Sequence, residues 1–465
     1  MKSSLSALET LDWNGLCVVV VGLGASGVSA SRLARRLGAT VVATDTKLEA
    51  ELTPDARALS DYGIRLALGG HQGVDFDGAD LIVVSPGVAP LDAVERAAGR
   101  GVAVWGEVEL SVRAALRTAE QSGRPAPAVL SVGGTNGKST TTALLGALFE
   151  AAGFRTFTGG NLGEPLSPHV EEPFDVIVLE VSSFQLERVD RFCPTVSLLL
   201  NVTPDHLDRY PDFEAYASAK GNAFQRQTHR DVAVIPFGDP VCLDQARRGQ
   251  AARVTFGGPG ADVQVTHDAV CVCKTGERYA RADFALAGGH NALNVAAALA
   301  ALEPFAIAPA VIRKVLREFR GLAHRTAWVA DLDGVRYYDD SKGTNVGASV
   351  TALLGILEPK AVLIAGGRDK GGTYTPLVEA LVHRGRAVVV LGEAADRIAQ
   401  AVGQAVPVQR ASSMEDAVRL ARNLAREGDA VLLSPACSSF DMFRDYKDRG
   451  DAFVRAVTAQ QEERQ

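Results

Sequence analysis

Ser131-Val-Gly-Gly-Thr-Asn-Gly-Lys-Ser-Thr140 is the stretch that decides the fold of this chain. An apolar run, 128–130, precedes it and a helix-forming run, 141–149, follows it, so the stretch joins a buried strand to a helix. Its glycines let backbone N–H groups turn toward an anion, and the start of the helix adds the positive end of its dipole. Lys138 would add a charge and Ser139 a hydroxyl for Mg²⁺, so the stretch is predicted to bind phosphate.

One position of this stretch departs from the strict phosphate-loop pattern, which places a further glycine five residues before the last one. Val132 stands at that position, which leaves the shorter form Gly134-x-x-Gly-Lys-Ser139. An ordinary strand–turn–helix corner would explain the glycines but not the Lys-Ser pair that follows them at once. The phosphate site is therefore the better interpretation.

Composition sets the class of protein. The chain has 465 residues, too many for a single core, which predicts roughly three domains. No apolar run approaches the roughly 18 residues of a membrane span, so we expect a cytoplasmic protein without membrane insertion. The net charge of −7 argues against sequence-independent binding of nucleic acid. The six cysteines lack C-x-x-C spacing and are expected to be reduced. Separately, we expect the protein to be a monomer.

A second glycine motif opens the first unit of the chain. An apolar strand, 16–21, runs into Gly22-Leu-Gly-Ala-Ser-Gly27, and a helix is predicted over 28–37. The next strand, 40–44, ends in Asp45, where a dinucleotide-binding fold keeps its ribose-binding acid. From these residues alone, an NAD site, a site for another pyrophosphate, and simple packing of a helix on a strand all remain open.

Alternating strands and helices predict three α/β units in series. A polar linker, Gln121-Ser-Gly-Arg-Pro-Ala-Pro127, separates the first from the second, and the third begins near Gly321. A short alternating pattern over 252–286 predicts a small β appendage on the central unit. We therefore expect a Rossmann-like domain over 1–120, a central P-loop ATPase-like domain over 121–320 and a Rossmann-like domain over 321–465.

Two polar residues of the central unit follow apolar strands and could reach the phosphate loop. Glu180 follows the strand 176–179, and His206 follows the strand 196–200. Taken singly, each suits a strand-end carboxylate or a hydrogen-bonded loop histidine. Because Mg²⁺ prefers oxygen ligands with at most an imidazole, the pair beside a phosphate loop is predicted to bind metal.

The order of six motifs resembles that of the Mur ligases over nearly the whole chain. The motifs are Gly134-Thr-Asn-Gly-Lys-Ser139, Glu180-Val-Ser-Ser-Phe-Gln-Leu-Glu187, Asn201-Val-Thr-Pro-Asp-His-Leu-Asp-Arg-Tyr210, His290-Asn-Ala-Leu-Asn294, His324-Arg325 and Asp340-Ser-Lys-Gly-Thr-Asn345. Mur ligases build the peptide of bacterial cell-wall precursors by joining a carboxylate to an amino acid with ATP. The resemblance implies that function and the three-domain fold.

Within the family, the chain is most similar to the branch that adds D-glutamate to UDP-N-acetylmuramoyl-L-alanine. Asn136 stands where the alanine-adding branch usually has histidine, and the strings Asp-Ser-Lys-x-Thr-Asn and Gly-Leu-Gly-x-Ser-Gly are both present. The Asp-Asn-Pro-Arg string of diaminopimelate-adding ligases is absent. The resemblance implies transfer of the ATP γ-phosphoryl group to the alanyl carboxylate, followed by attack of the glutamate amine on the acyl phosphate.

The resemblance also implies roles for individual residues. Catalysis would involve Asn161, His206 and Lys220, the last as a lysine carbamylated by CO₂, together with Lys138 and Glu180. Two Mg²⁺ sites are expected on Ser139, Glu180, His206 and carbamylated Lys220. The residues that would contact ATP are Gly134, Thr135, Asn136, Gly137, Lys138, Ser139, Thr140, Asn291, Arg325 and Asp340. Judged without the resemblance, Lys220 would be a surface lysine on a helix.

Two further sets of residues would bind the substrates. The residues that would contact UDP are Gly22, Ser26, Asp45, Thr46, Lys47, Ser85 and Gly87. Those that would contact D-glutamate are Lys342, Thr344, Lys370, Ser439 and Tyr446. The family more often has phenylalanine at the place of Tyr446, and Arg368 is an additional arginine beside Lys370.

Two other classes of function compete with this one. A folate polyglutamylating ligase would share the phosphate loop but should lack the Gly22 motif. An NAD-dependent oxidoreductase, or a nucleotide-sensing module without catalysis, would make the phosphate loop incidental.

Because the three predicted subsites lie on separate domains, we also expect the carboxyl-terminal domain to close when ligands bind.

Overall fold

The computed structural model describes residues 8–10, 12–206, 209–286, 288–369 and 373–462. Three β-sheets of five, nine and six strands follow one another along the chain, and helices connect the strands. The predicted α/β class with three sheet-bearing units is therefore confirmed. Within the described residues, no helix combines the length and apolar character that crossing a bilayer requires.

The first sheet is parallel throughout, with strand order β3-β2-β1-β4-β5. Residues Val18–Val21 of its central strand are buried, because helices cover both faces of a parallel sheet. The elements of this unit are β1 (Cys17–Val21), α1 (Ala25–Arg36), β2 (Thr40–Thr44), α2 (Pro54–Arg57), β3 (Arg65–Ala67), β4 (Leu81–Val84), α3 (Asp92–Gly99), β5 (Ala103–Trp105) and α4 (Glu107–Gln121).

The second sheet has nine strands in the order β14-β13-β12-β11-β10-β9-β6-β8-β7. Its elements are β6 (Ala128–Gly133), α5 (Lys138–Ala151), β7 (Thr156–Gly160), β8 (Val176–Glu180), α6 (Ser183–Leu186), β9 (Val196–Leu199), α7 (Phe213–Gly221), β10 (Val232–Pro236), α8 (Pro240–Ala246), β11 (Ala252–Gly257), β12 (Val263–Val265), β13 (Ala269–Val272), β14 (Glu277–Ala280), α9 (Gly289–Ala301) and α10 (Pro309–Glu318).

The expected β appendage is continuous with this central sheet. Strand β11 pairs in parallel with β10, and β12 pairs in parallel with β11. Only the last two pairings, β12 with β13 and β13 with β14, are antiparallel. The short alternating pattern therefore extends one edge of the central sheet.

The third sheet has the order β15-β16-β20-β17-β18-β19, and only its edge strand β15 is antiparallel to its neighbour. Its elements are β15 (Ala327–Leu332), β16 (Val335–Asp339), α11 (Val346–Gly355), β17 (Ala361–Gly366), α12 (Thr375–Arg384), β18 (Gly385–Leu391), α13 (Ala395–Val402), β19 (Val408–Arg410), α14 (Met414–Leu424), β20 (Ala430–Leu433) and α15 (Tyr446–Glu462).

The hydrophobic cores are divided unequally between the three units. One continuous cluster includes Trp13 and Val112 of the first unit and Leu179 and Leu186 of the second. The third unit has two clusters of its own, one on each face of its sheet. The first two units are thus held together by shared apolar packing, whereas the third has a separate core.

Candidate active site

The phosphate loop occupies the turn between β6 and α5, at the carboxyl end of a central strand. Gly134 has φ +141° and Gly137 has φ +86°, both in the region that favours glycine. A Cβ on Gly137 would also collide with the side-chain oxygen of Asn294. These two glycines let the backbone turn sharply and bring Lys138 to the first position of the helix.

Asn201, at the end of β9, fixes the shape of this loop. The Thr135 amide donates to the Asn201 carbonyl (2.9 Å), and the Asn136 amide donates to Asn201 Oδ1 (2.8 Å). Asn201 Nδ2 in turn donates to the Asn136 carbonyl (3.0 Å). Sequence reasoning assigned Asn201 no role, although it begins one of the motifs.

Glu180 is almost fully buried, at 2% exposure, at the end of β8. Asn161 Nδ2 donates to its Oε1 at 2.7 Å, while Oε2 is buried without a hydrogen-bond partner among the described residues. Burial raises the pKa of Glu180, but the charges of Lys138 and Lys342, together with the Ser139 and Asn161 side chains, hold the pKa below its ordinary value. Glu180 is therefore a carboxylate with one oxygen still available to a ligand.

Lys220 lies inside the protein, at 3% exposure, and the expectation of a surface lysine drawn from its helix alone is wrong. Its Nζ donates to the Gly134 carbonyl at 2.9 Å and lies 4.5 Å from the centre of the Tyr216 ring. Burial, with the nearby charge of Lys138, brings the pKa of Lys220 well below its ordinary value. The amine therefore sits directly beneath the phosphate loop with a reduced tendency to be charged.

His206 adopts φ +56°, which is uncommon for a residue other than glycine. Its ring lies 4.8 Å from that of Phe184, and its Nε2 is 3.7 Å from Asp205 Oδ2. Asp205 also accepts a hydrogen bond from Asn345 Nδ2 of the third unit (3.1 Å). Among the described residues, no group of three or more His, Cys, Asp and Glu side chains forms a metal site by itself.

The third unit also reaches the phosphate loop through Arg325, whose Nη2 donates to Ser139 Oγ at 3.5 Å. Asp340, expected to face the ribose, is buried, and both of its oxygens accept hydrogen bonds within the protein. Thr326 donates to Oδ1 and Ser434 to Oδ2. Burial raises the pKa of Asp340 to about 6. Asn291 and Asn294 both lie on α9, the helix that faces Gly137. Asn291 Oδ1 accepts a hydrogen bond from Asn294 Nδ2 (3.1 Å).

Two of the residues predicted to bind glutamate, Lys342 and Tyr446, lie near Glu180, and we call the predicted site of Lys342, Ser439 and Tyr446 the glutamate pocket. Lys342 Nζ lies 5.3 Å from the centre of the Tyr446 ring, and burial lowers the pKa of Lys342 to about 8. Ser439 is 2% exposed, and the Thr344 amide donates to the Lys342 carbonyl (2.8 Å). The predicted contact Lys370 lies outside the described residues.

A cavity of about 560 Å³ opens at the carboxyl ends of β1, β2 and β4. Six of the seven residues predicted to bind UDP line it, and the seventh, Lys47, does not. Sequence reasoning missed His71 and the apolar wall of Val88 and Leu91. The cavity is lined by Gly22, Leu23, Gly24, Ala25, Ser26, Asp45, Thr46, His71, Ser85, Pro86, Gly87, Val88, Ala89 and Leu91.

The Asp45 carboxylate at this cavity shapes the glycine loop as well. It accepts hydrogen bonds from the Leu23 amide (2.7 Å) and the Lys47 amide (3.0 Å). Ser85 Oγ donates to the Gly22 carbonyl (2.7 Å) from the neighbouring strand. Hydrogen bonds within the protein therefore define the shape of the cavity floor.

Gly27 supports this floor, and Gly27→Ala is expected to damage it. A Cβ there would overlap the Gly22 carbonyl oxygen and come 2.6 Å from Ser85 Oγ. Overpacking of this kind costs roughly 1–3 kcal/mol, so we expect UDP binding to weaken by about tenfold or more. Isothermal titration with UDP measures the change. Gly99→Ala, in a helix of the same unit with open space around it, is the control and should leave binding unchanged.

Three family models match the chain one after another. The Mur ligase MurD-like N-terminal domain matches residues 17–106, the Mur ligase middle domain residues 132–302, and the Mur ligase glutamate ligase domain residues 324–437. The first match contains the 560 Å³ cavity, the second the phosphate loop, and the third Asp340 and Lys342.

Curated relatives match along the full length. The UDP-N-acetylmuramoylalanine–D-glutamate ligase of Geobacter metallireducens is 41% identical over 463 residues, 97% of this chain and 98% of that protein. The enzyme of the same name from Anaeromyxobacter dehalogenans is 43% identical over 468 residues, 97% and 99% of the two chains.

Solved structures share the fold at low identity. The UDP-N-acetylmuramate–alanine ligase MurC of Thermotoga maritima superposes with a TM-score of 0.61 at 19% identity, over 96% of this chain and 100% of that one. The MurF ligase of Thermotoga maritima in complex with ADP gives a TM-score of 0.60 at 17% identity, over 98% and 99% of the two chains.

Proposed function

The chain belongs to the Mur ligase family, and we propose that it is the ATP-dependent ligase that joins D-glutamate to UDP-N-acetylmuramoyl-L-alanine in peptidoglycan precursor synthesis. The observation that carries this proposal is the identity of 41–43% along nearly the whole chain to enzymes that bear this name. Three features of the chain agree with it: the phosphate loop, the cavity of about 560 Å³ in the first unit, and the buried Lys342 near Glu180.

ATP is the expected phosphoryl donor. The ADP complex of the MurF ligase supports nucleotide binding by this fold, and the backbone of the phosphate loop, Lys138 and Arg325 supply the positive groups that ATP phosphates need. Phosphoryl transfer depends mainly on positioning and neutralisation of charge. These residues would therefore orient the γ-phosphoryl group toward a carboxylate presented from the first unit.

Magnesium fits the residues that the site provides. One carboxylate oxygen of Glu180 is buried and has no hydrogen-bond partner in the part of the chain that the structure describes. Ser139 places a hydroxyl at the start of α5. We assign these two groups to Mg²⁺, with His206 as a further ligand, and phosphate oxygens and water would complete the shell. The metal would neutralise charge on the phosphoryl oxygens.

Lys220 is the proposed site of a CO₂-derived carbamate. The observation behind this assignment is its burial beside Gly134 together with its lowered pKa, because an uncharged amine is the form that reacts with CO₂. The carbamate would replace a cation by an anion under the phosphate loop, where a second Mg²⁺ could be held. Asp205, which lies near Lys220, would help to balance these charges.

The proposed reaction has two steps. An oxygen of the alanyl carboxylate attacks the γ-phosphorus of ATP, the bond to the β-phosphate oxygen breaks, and ADP leaves. The amine of glutamate then attacks the carbonyl carbon of the acyl phosphate, loses a proton, and releases inorganic phosphate with the amide formed. We assign to Asn161, which is hydrogen-bonded to Glu180, the orientation of the reacting carboxylate.

An omission experiment tests the proposal. ADP and phosphate should form at a steady rate only when UDP-N-acetylmuramoyl-L-alanine and D-glutamate are both present, and L-glutamate should support much slower release. Turnover with a folate acceptor would reject the proposal in favour of another ligase. Release of ADP and phosphate that does not depend on the amino acid would reject it in favour of an ATPase. The low identity to solved folylpolyglutamate synthase, 17%, supports a common fold alone.

Glutamate binding should depend on pH through Lys342. Its pKa of about 8 means that the ammonium that attracts a diacid is present below pH 8 and lost above it. Glutarate has both carboxylates but no amine, so its own charge stays constant above about pH 6. We expect the Kd of glutarate, measured by calorimetry without Mg²⁺, to be flat up to about pH 8 and to rise beyond it. Lys342→Arg should keep the Kd flat to a higher pH, and an unchanged profile would exclude Lys342 from the pocket.

A further inference from the structure

Arg449, on α15, is a buried guanidinium that the reaction described above does not use. The residue is 1% exposed, which is unusual for an arginine. Among the described residues no carboxylate forms an ion pair with it, and all its polar partners are carbonyl or hydroxyl oxygens. Burial of a charge is costly unless hydrogen bonds satisfy it. The hydrogen bonds of Arg449 supply that compensation, and they show which segments the guanidinium holds.

The partners of Arg449 belong to three separate loops at the carboxyl end of the third sheet. Nε donates to Ser341 Oγ (3.0 Å), and Nη2 donates to the Ser341 carbonyl (2.8 Å). Nη1 donates to the carbonyls of Cys437 (3.1 Å) and Gly366 (3.4 Å). One planar side chain thus joins the ends of β16, β17 and β20.

Two of these loops carry residues assigned to the glutamate pocket. Ser341 directly precedes Lys342, and Cys437 lies two residues before Ser439. The Ser341 hydroxyl also links Arg449 to Tyr446, because it donates to the carbonyl of Tyr446 at 2.8 Å. Arg449 therefore contacts the loops that carry Lys342 and Ser439, and it is linked through Ser341 to Tyr446.

A second set of contacts joins two of the same loops. Arg368 and Ser438 exchange backbone hydrogen bonds of 2.9 and 3.2 Å. The Tyr374 hydroxyl bonds to Asp369 Oδ1 (3.0 Å) and lies 3.2 Å from Cys437 Sγ. The Gly366 loop and the Cys437 loop are hence paired already, and Arg449 adds the link to the Ser341 loop.

We propose that Arg449 is the positioning residue of the glutamate pocket: it sets the spacing of Lys342, Ser439 and Tyr446 and gives the pocket a permanent positive charge. This inference rests on the proposed function, since it concerns the second substrate of that reaction. A guanidinium suits the task because its five donors lie in one plane and bridge several acceptors at once. Although burial lowers the pKa of Arg449 to about 10, the group stays charged at neutral pH.

Arg449→Ala tests the proposal by separating the two substrates. Loss of the links should raise the KM for D-glutamate by roughly tenfold to a hundredfold, because each broken bond to a charged group has a substantial cost. The KM for UDP-N-acetylmuramoyl-L-alanine should stay within about twofold, since the cavity predicted to bind it lies in the first unit. The KM for ATP should rise by a smaller factor than that for D-glutamate, since Asp340, one of its predicted contacts, directly precedes Ser341. Added guanidinium chloride at low concentration should restore part of the glutamate affinity. Arg455→Ala, at an exposed position of the same helix, is the matched control.

Two further measurements keep the outcome decisive. Trapping of the acyl phosphate by borohydride in the absence of glutamate should proceed in Arg449→Ala as in the wild type. If that variant does not fold, Arg449→Lys and Ser341→Ala take its place, with smaller but selective increases in the glutamate KM. Equal increases for all three substrates, or no increase, would overturn the proposal. Absence of trapped acyl phosphate in the wild type would instead reject the proposed function.

Discussion

Lys138→Ala should abolish most of the turnover, lowering kcat by roughly a thousandfold, as expected when a preorganised charge on the transferred group is removed. Lys138 stands at the first position of α5, and its Nζ donates to the Thr135 carbonyl (2.9 Å) inside the phosphate loop. Its charge also lowers the pKa values of Glu180, Lys220 and Lys342. A single substitution therefore removes the phosphate ligand and changes the electrostatics of the whole site.

The measurement is steady-state release of ADP at saturating substrates. Lys274→Ala is the matched control, because Lys274 is an exposed lysine of the same unit, paired with Glu303 at the surface. The control should retain full turnover. Turnover of Lys138→Ala near the wild-type rate would show that the loop does not hold the transferred phosphoryl group.

Glu180→Gln should produce the second largest effect, a fall in kcat of about a hundredfold or more. Glutamine keeps the shape of the side chain and can still accept from Asn161 Nδ2, so packing changes little. It lacks the negative charge that faces Lys138 and Lys342, and it is a poorer ligand for Mg²⁺. The Mg²⁺ concentration for half-maximal rate should accordingly rise by at least roughly tenfold.

A titration of the rate against Mg²⁺ measures this shift directly. Glu187→Gln serves for comparison, because Glu187 belongs to the same motif but forms an ion pair with Arg209 (3.1 Å) at the edge of the site. Its Mg²⁺ dependence should match that of the wild type. If Glu180→Gln needed no more Mg²⁺ than the wild type, the assignment of Glu180 as a metal ligand would fail.

Much of the fold could be predicted from local pattern. The phosphate loop and the Gly22 motif each mark a strand–turn–helix unit, because glycine at a tight turn leaves a strong signal in the sequence. The strands 252–280 were harder to place: their short alternating pattern indicated a small β appendage but not its pairing with β10. Pairing is decided by contacts between distant segments, which local periodicity does not record.

The candidate site divides in the same way. Lys220 could not be recognised from its helix, because its burial depends on the phosphate loop packed above it. Asn201 and Arg449 act through hydrogen bonds to the backbone of remote loops, which no spacing in the sequence reveals. Candidate ligand contacts could be proposed where a recognisable motif marks them, whereas the residues that hold a motif in place could not.

Transfer of oxygen from the alanyl carboxylate to phosphate tests the central claim most directly. UDP-N-acetylmuramoyl-L-alanine labelled with ¹⁸O in both carboxylate oxygens would be converted with ATP and D-glutamate, and the released phosphate analysed by mass spectrometry. Since the carboxylate oxygen that attacks phosphorus leaves with it, the mechanism predicts one ¹⁸O in each phosphate and one in each amide. Phosphate without ¹⁸O, formed in step with the amide, would contradict an acyl phosphate and with it the role proposed for this site.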